Sequence, residues 1–315
     1  MQPGAQLKVG TRGSKLALTQ TGLVVKALEK KFPKFIFKVE VIKTLGDKIQ
    51  ESALSQIGAK GLFIKELEEA LVQGKIDCAV HSLKDLTTDL PQNLSLGAVL
   101  KRESAEDCLI TLQKTTLDSL PKAAKLGTSS LRRKSQLLHL RPDFKVENLR
   151  GNLDTRIHKL KTLDFDGIVV AKAGVKRLMG DQMDSEIHLF DIPFTQLLPA
   201  AGQGALAIEI REDDLNAKEV VGFLNDVETR IAVLCERSFL RTLEGGCQVP
   251  IGAIARVEGE SLSLEGMIAS LDGTVLFKDR IEGSVSLAEN LGKKLAEKLL
   301  HAGGEKILEE LRSQR

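Results

Sequence analysis

Asp85 directly follows Lys84 at the end of Ala79-Val-His-Ser-Leu-Lys-Asp85, just past a short apolar run. A carboxylate so placed can stabilise a cation forming on a substrate and pass protons. It can equally serve as a surface counter-ion or a helix cap. Three more polar clusters fall at equivalent places, past strand ends or at helix starts: Arg12 with Ser14; Thr128, Ser129, Ser130, Arg132 and Arg133; and Arg150 with Arg156. The first turn of a helix exposes unpaired N–H groups and the positive end of its dipole, hydroxyls add donors, and arginines add paired N–H forks. Together they suit a carboxylate or phosphate. Arginine at a helix start is electrostatically unfavourable unless an anion is held there, so Arg132 and Arg133 carry weight; Arg132-Arg133-Lys134 is otherwise a solvated basic face. His81 brings a side-chain type that titrates around neutrality, or is a structural residue at a strand end.

A second kind of chemistry is available at Leu243-Glu-Gly-Gly-Cys-Gln-Val-Pro-Ile-Gly-Ala253. The preceding segment, Arg230 to Leu243, reads as a helix with Ile231, Leu234, Phe239 and Leu243 on its apolar face. Gly245 and Gly246 end it and Pro250 prevents its resumption, which leaves Cys247 on a loop. A loop thiol becomes a nucleophile when it loses its proton; it can also be just a small loop residue.

These residues need a frame. The 315 residues suffice for two or three domains. A net charge of +2, with no Trp or Tyr, gives no global attraction to nucleic acid or membrane, so an anion site must come from local clustering. No signal peptide or membrane-spanning run is visible. Cys78, Cys108, Cys235 and Cys247 are widely spaced, which argues against a metal site and a disulfide framework and fits a reducing, cytoplasmic setting. The first three read as core.

Strands are predicted at Lys8 to Thr11, Phe35 to Ile42, Ile76 to Val80, Val146 to Leu149, Gly167 to Ala171 and Leu206 to Arg211, with another ending at Leu126. Helices alternate with them, the first capped by Ser14 and presenting Leu16, Leu23 and Ala27. Residues 43–61 read as a functional loop. This alternation predicts an α/β chain of two doubly wound parallel sheets whose ligands bind outside the carboxyl ends of the strands. Beyond Asp226, alternating strands and two final helices predict a small C-terminal α+β domain.

The set Thr11-Arg-Gly-Ser-Lys-Leu-Ala-Leu18, Lys60-Gly-Leu-Phe-Ile-Lys-Glu-Leu67, Ala79 to Asp85, Gly127-Thr-Ser-Ser-Leu-Arg-Arg133, Leu149-Arg-Gly-Asn152, Pro199-Ala-Ala-Gly-Gln-Gly-Ala205 and the Cys247 loop closely resembles the porphobilinogen deaminase (hydroxymethylbilane synthase) family, collinearly over nearly the whole chain. The resemblance implies two lobes like those of periplasmic binding proteins, residues 1–101 with 201–223 and residues 102–200, and a third domain, residues 226–315. It implies a cytoplasmic, monomeric transferase of tetrapyrrole and heme biosynthesis, with porphobilinogen as its small-molecule partner and neither nucleic acid nor membrane. Four porphobilinogen units would be joined, with loss of ammonia, onto a dipyrromethane cofactor thioether-linked to Cys247, and water would release the product. Asp85 would be the catalytic carboxylate, a buried group assisted by Lys84. Ser14, Lys84, Asp85, Thr128, Ser129, Ser130, Arg132, Arg133 and Arg150 would hold the cofactor. Arg12, Ser14, Arg150, Arg156, Arg177, Lys60, Phe63 and Gln203 would contact substrate or the growing chain. No metal is implied. The competing expectation is a two-lobed solute-binding or sensor protein that holds a small carboxylate anion without chemistry.

Overall fold

The computed structural model describes residues 5–44, 64–180, 185–244 and 249–313. Lys60, Phe63, Cys247 and nearly all of the expected 43–61 loop lie outside the described residues. The chain forms two compact units, Met1–Glu103 with Ala205–Arg230, and Ser104–Gly204 with Ile231–Arg315.

In chain order, the first unit opens with β1 (Gln6–Arg12), α1 (Lys15–Lys31), β2 (Ile36–Ile42), α2 (Lys65–Val72), β3 (Cys78–Ser82), a single 3-10 turn (Leu83–Asp85) and β4 (Leu94–Val99). The second unit supplies β5 (Asp107–Thr111), β6 (Lys125–Gly127), α3 (Leu131–Leu140), β7 (Lys145–Glu147), α4 (Leu153–Thr162), β8 (Gly167–Ala171), α5 (Lys172–Met179) and β9 (His188–Ile192). The chain then returns to the first unit for β10 (Leu206–Arg211) and α6 (Leu215–Gly222). It ends with α7 (Val227–Thr242), β11 (Ile251–Glu258), β12 (Ser261–Ala269), β13 (Leu276–Ser284), α8 (Ala288–Leu299) and α9 (Glu305–Ser313).

The two α/β sheets share one plan, β2-β1-β3-β10-β4 and β7-β6-β8-β5-β9. In each, the first three strands are mutually parallel, while the fourth (β10 or β5) runs antiparallel to both its neighbours. The expected wholly parallel sheets are therefore corrected to mixed ones. The reversed strand in each sheet is the one the chain enters just after passing from the other unit, so no crossover helix dictates its direction.

Local chemistry explains the elements that matter for the site. Ser14 caps α1, its hydroxyl accepting from Ala17 N–H at 3.3 Å, and Lys30 and Lys31 complement the dipole at the far end. The buried stripe of α1 is Gln20, Thr21, Val24, Val25 and Leu28, whereas Leu23 is 48% exposed, so the predicted face is rotated. Bonds from Thr21 Oγ1 to Thr11 Oγ1 and between Gln20 and Ser82 satisfy polar groups that would otherwise oppose that burial.

In the second unit, apolar clusters cover both faces of the β5–β9 sheet. The antiparallel β11-β12-β13 sheet packs under α7 and α8 around Phe239, which is fully buried, while Leu234, expected on that face, is 41% exposed. Gly292 lets α8 press onto α7, since an added Cβ would lie 2.4 Å from the Cys235 carbonyl oxygen. Gly292→Ala should therefore cost about 1–3 kcal/mol of stability, the usual penalty of overpacking, measurable by urea unfolding. A neutral result would show that the helices can slide apart.

Candidate active site

In the first unit, β1 and β3 are adjacent and parallel, with Val9 opposite Cys78 and Gly10 opposite Ala79. Their carboxyl ends therefore lie on one edge of the sheet, and this brings the Arg12–Ser14 segment and the Lys84–Asp85 turn together. The turn is held by backbone and side chain alike. Leu83 N–H donates to the Ala205 carbonyl at 3.0 Å, and Ser82 Oγ lies 3.0 Å from Gln20 Nε2. Asp85 itself is exposed and Lys84 half-buried. The expectation of a buried Asp85 is thus corrected: three residues of 3-10 turn carry it past the strand end and out of the core.

His81, read as a strand-end residue, lies inside β3 and is buried, its Nε2 3.0 Å from Glu209 Oε2 of β10.

The second unit repeats the arrangement. β7, β6 and β8 run parallel, with Gly127 opposite both Glu147 and Ile168. Thr128 to Arg133, Arg150 with Arg156, and α5 with Arg177 consequently follow three neighbouring carboxyl ends. Ser130 caps α3, accepting from Arg133 N–H at 3.4 Å, and Ser129 Oγ donates to the Leu149 carbonyl at 2.8 Å. Buried Thr128 accepts from Ser130 N–H at 3.3 Å. Arg156 Nε donates to the Gly151 carbonyl at 2.8 Å, and Arg177 Nη2 to the Gly204 carbonyl at 2.7 Å. Arg150 is half-buried, and its carbonyl accepts from Lys159 Nζ at 3.1 Å.

Arg132 and Arg133 sit differently from expectation. The anion they meet is Asp107 on β5, which is fully buried. Arg132 Nη1 donates to Asp107 Oδ2 at 2.7 Å and to the Leu198 carbonyl at 2.6 Å. Arg133 reaches Asp107 Oδ1 through Nε at 3.1 Å and Nη2 at 2.8 Å, and its Nη1 bonds the Val169 carbonyl. Burial favours the protonated carboxyl. The charges and hydrogen bonds of the two guanidiniums outweigh it and hold Asp107 well below the usual carboxylate range. All three Arg133 nitrogens thus bond inside the protein. Arg132 Nε, by contrast, is buried with no acceptor.

Gln203, expected at the substrate, is fully buried, and its Nε2 donates to the Ala105 carbonyl at 2.7 Å and to Asp107 Oδ1 at 2.9 Å. Its side-chain amide thus joins the Asp107 cluster. Asp107 was missed in the sequence, and so was Glu236 on α7. Fully buried, Glu236 accepts from Gly202 N–H at 2.7 Å and from Ala255 N–H at 2.8 Å, tying the Pro199–Ala205 connector to β11. Gly202 and Gly204 have φ of +73° and +89°, which explains the glycines of that connector.

Two family models match, and together they span most of the chain. They are the porphobilinogen deaminase, dipyromethane cofactor binding domain over residues 7–219, and the porphobilinogen deaminase C-terminal domain over residues 230–301. The chain belongs to the porphobilinogen deaminase family. Among its relatives, the porphobilinogen deaminase of Desulforamulus reducens is 50% identical over 308 residues, covering 98% of each chain. That of Carboxydothermus hydrogenoformans is 48% identical, covering 96% of each. A solved regulatory domain of OxyR2 from Vibrio vulnificus aligns with 71% of this chain and 98% of its own at 13% identity and a TM-score of 0.41, and family membership does not rest on it.

The described residues suit the cofactor named by the family model. A dipyrromethane bears carboxylate arms, and the donors at the strand ends are arginine, lysine and hydroxyl groups, with Arg132 Nε still lacking an acceptor. Among the described residues no helix is long and apolar enough to cross a membrane, and no group of three or more His, Cys, Asp or Glu side chains forms a metal site. Cys78, Cys108 and Cys235 are free thiols buried in the two units, and burial pushes the Cys235 thiol up to about 12. None of the three is activated as a nucleophile.

Proposed function

We propose that this chain is a hydroxymethylbilane synthase, a transferase that deaminates four porphobilinogen molecules and joins them head-to-tail onto a dipyrromethane bound through Cys247. The observation that carries the proposal is the gathering, at the carboxyl ends of parallel strands in each unit, of cationic and hydroxyl donors, joined in the first unit by the exposed Asp85.

The bound cofactor supplies a pyrrole carbon that accepts the incoming unit. The residues of this chain do the rest. Arg12, Arg150, Arg156 and Arg177, with Lys84, neutralise the acetate and propionate arms that accumulate as the product lengthens. Ser14, Ser129 and Ser130 add hydroxyl contacts at helix starts. Loss of ammonia leaves positive charge on the substrate, which Asp85 stabilises and from which it takes protons. Lys60 and Phe63 border the growing chain. A covalent tether makes each addition a local event.

A three-domain division at residues 1–101 with 201–223, 102–200 and 226–315 accompanies this reading. It is supported by the separate apolar cluster around Phe239 and by the separate C-terminal family model. A cytoplasmic monomer fits the lack of a described membrane-spanning helix, the buried free thiols and the balanced charge.

Intact-mass measurement tests the core of the proposal. The purified chain should exceed its polypeptide mass by two pyrrole units, and limiting porphobilinogen should add discrete further increments. Cys247→Ser should give the bare polypeptide mass. A bare mass for the unaltered chain, or an unchanged increment in Cys247→Ser, would move the attachment elsewhere and favour a non-catalytic anion binder.

A further inference from the structure

Beneath the Asp85 turn the first unit buries a cluster that the proposed reaction does not use. Glu209 lies opposite Ala79, and Ala207 opposite His81, in the antiparallel β10–β3 pair. Glu209 and His81 therefore share a face of the sheet. Their side chains are 0% and 2% exposed and come within 3.0 Å. The contact lacks hydrogen-bond alignment, so His81 Nε2 and both Glu209 oxygens are buried with no aligned partner. Glu68 of α2 joins them, with its Oε1 also buried and unpartnered. A carboxylate oxygen out of water needs a donor, and the three oxygens have one imidazole among them.

Among the described residues, the charged groups on the elements that pack most closely on α2 are engaged elsewhere. α2 packs on β3, β4 and β10. Of the β3 residues on that face, Ala79 and His81, only His81 is titratable, because Cys78 belongs to the opposite apolar face with Val24 and Leu28. β4 carries no titratable side chain. On β10, Arg211 is committed to the carbonyls of Leu71 and Ile76 and to Asp77 and Asp214. On α2 itself, Lys65 reaches Glu69 at 3.9 Å on the exposed side, and Glu66 is engaged in a contact of its own.

We infer that Glu68, Glu209 and His81 form a proton-binding unit that positions the Lys84–Asp85 turn and makes that positioning depend on pH. A proton on Glu68 supplies a donor that the Glu209 oxygens lack; its loss leaves half-buried Glu68 and fully buried Glu209 sharing one imidazole. The effect reaches Asp85 because His81 lies in β3 four residues before it, along a stretch also held by the Ser82–Gln20 and Leu83–Ala205 contacts. Burial first, then the Glu209 charge, with His81 acting in opposition, raises Glu68 from 4.5 to about 7. For a raised group the stabilisation is complete below the ordinary carboxylate range and disappears as pH climbs through about 7. The inference rests on reading Asp85 as the catalytic carboxylate, so the test includes readouts that need no turnover.

The experiment compares the holoenzyme with its Glu68→Gln variant between about pH 5.5 and about pH 8.5. In the unaltered protein the Glu68 carboxyl carbon and the backbone amides of Leu83 to Asp85 should titrate together by NMR, and the thermal midpoint should fall over the same interval. In Glu68→Gln those amide shifts and most of that fall should disappear. The ratio of variant to unaltered kcat should be close to one at the acid end and rise about two-fold or more at the alkaline end, with KM little changed. Amides of the turn that titrate unchanged in Glu68→Gln, or a kcat ratio independent of pH, would overturn the inference. If no tetrapyrrole forms at any pH the proposed function fails, and the amide titration still decides the positioning claim.

Discussion

Asp107→Ala should be among the most damaging single substitutions in this chain, with a loss of about 3–5 kcal/mol of unfolding free energy in the second unit. The reason is asymmetry. The carboxylate meets Arg132 at 2.7 Å and Arg133 at 2.8 Å, and all three side chains are nearly or wholly buried. Removing the anion leaves two desolvated guanidiniums facing each other, and Gln203 Nε2 loses one of its two acceptors. Because a domain of this kind is stable by only about 5–15 kcal/mol, much of the variant should be unfolded or unable to retain cofactor at physiological temperature. Chemical denaturation followed in the second unit, together with intact mass, measures both effects. A loss below about 1 kcal/mol would mean that the arginines find solvent or another anion when Asp107 is absent. Asp107→Asn keeps the shape and should cost nearly as much, since charge and not volume is what the pair requires.

Asp85→Asn should behave in the opposite way. Asp85 is exposed on a 3-10 turn whose fixed contacts come from Ser82 and Leu83, so the fold, the heat stability and the cofactor mass should stay as they are. Turnover should fall by about 10²–10⁴-fold, the range expected when a positioned proton-transfer group is removed, with KM changing far less. Steady-state formation of the tetrapyrrole product measures it. A reduction of only a few-fold would return Asp85 to the status of a surface counter-ion.

Much of the scaffold could be read in advance, and what could not has identifiable causes. The boundaries of β8 and β10 follow directly from the runs Gly167 to Ala171 and Leu206 to Arg211, because predominantly apolar residues between glycine and polar punctuation leave little choice. Strand direction was not readable, since an apolar run looks the same whichever way its neighbours point. The α1 face was misjudged because Gln20 and Thr21 are buried by hydrogen bonds that a hydrophobic pattern cannot register. The strand-end clusters were legible because residue type and position agree there. Asp107, Glu209 and Glu236 were not: a lone acid in an apolar segment reads as a surface position until its partners, far away in sequence, are known. Those partners also engage Arg133 and Gln203 around Asp107, a role their positions in the sequence did not suggest.

The position of β10 also constrains how the protein comes to be made. This strand lies between β3 and β4, so the middle of the first sheet is filled by residues that follow β4 by more than a hundred places in the chain. A nascent polypeptide emerging from the ribosome has the whole second sheet, β5 to β9, synthesised before the first sheet can close. Until then β3 and β4 present open edges, and any fragment ending before Ala205 keeps them open permanently.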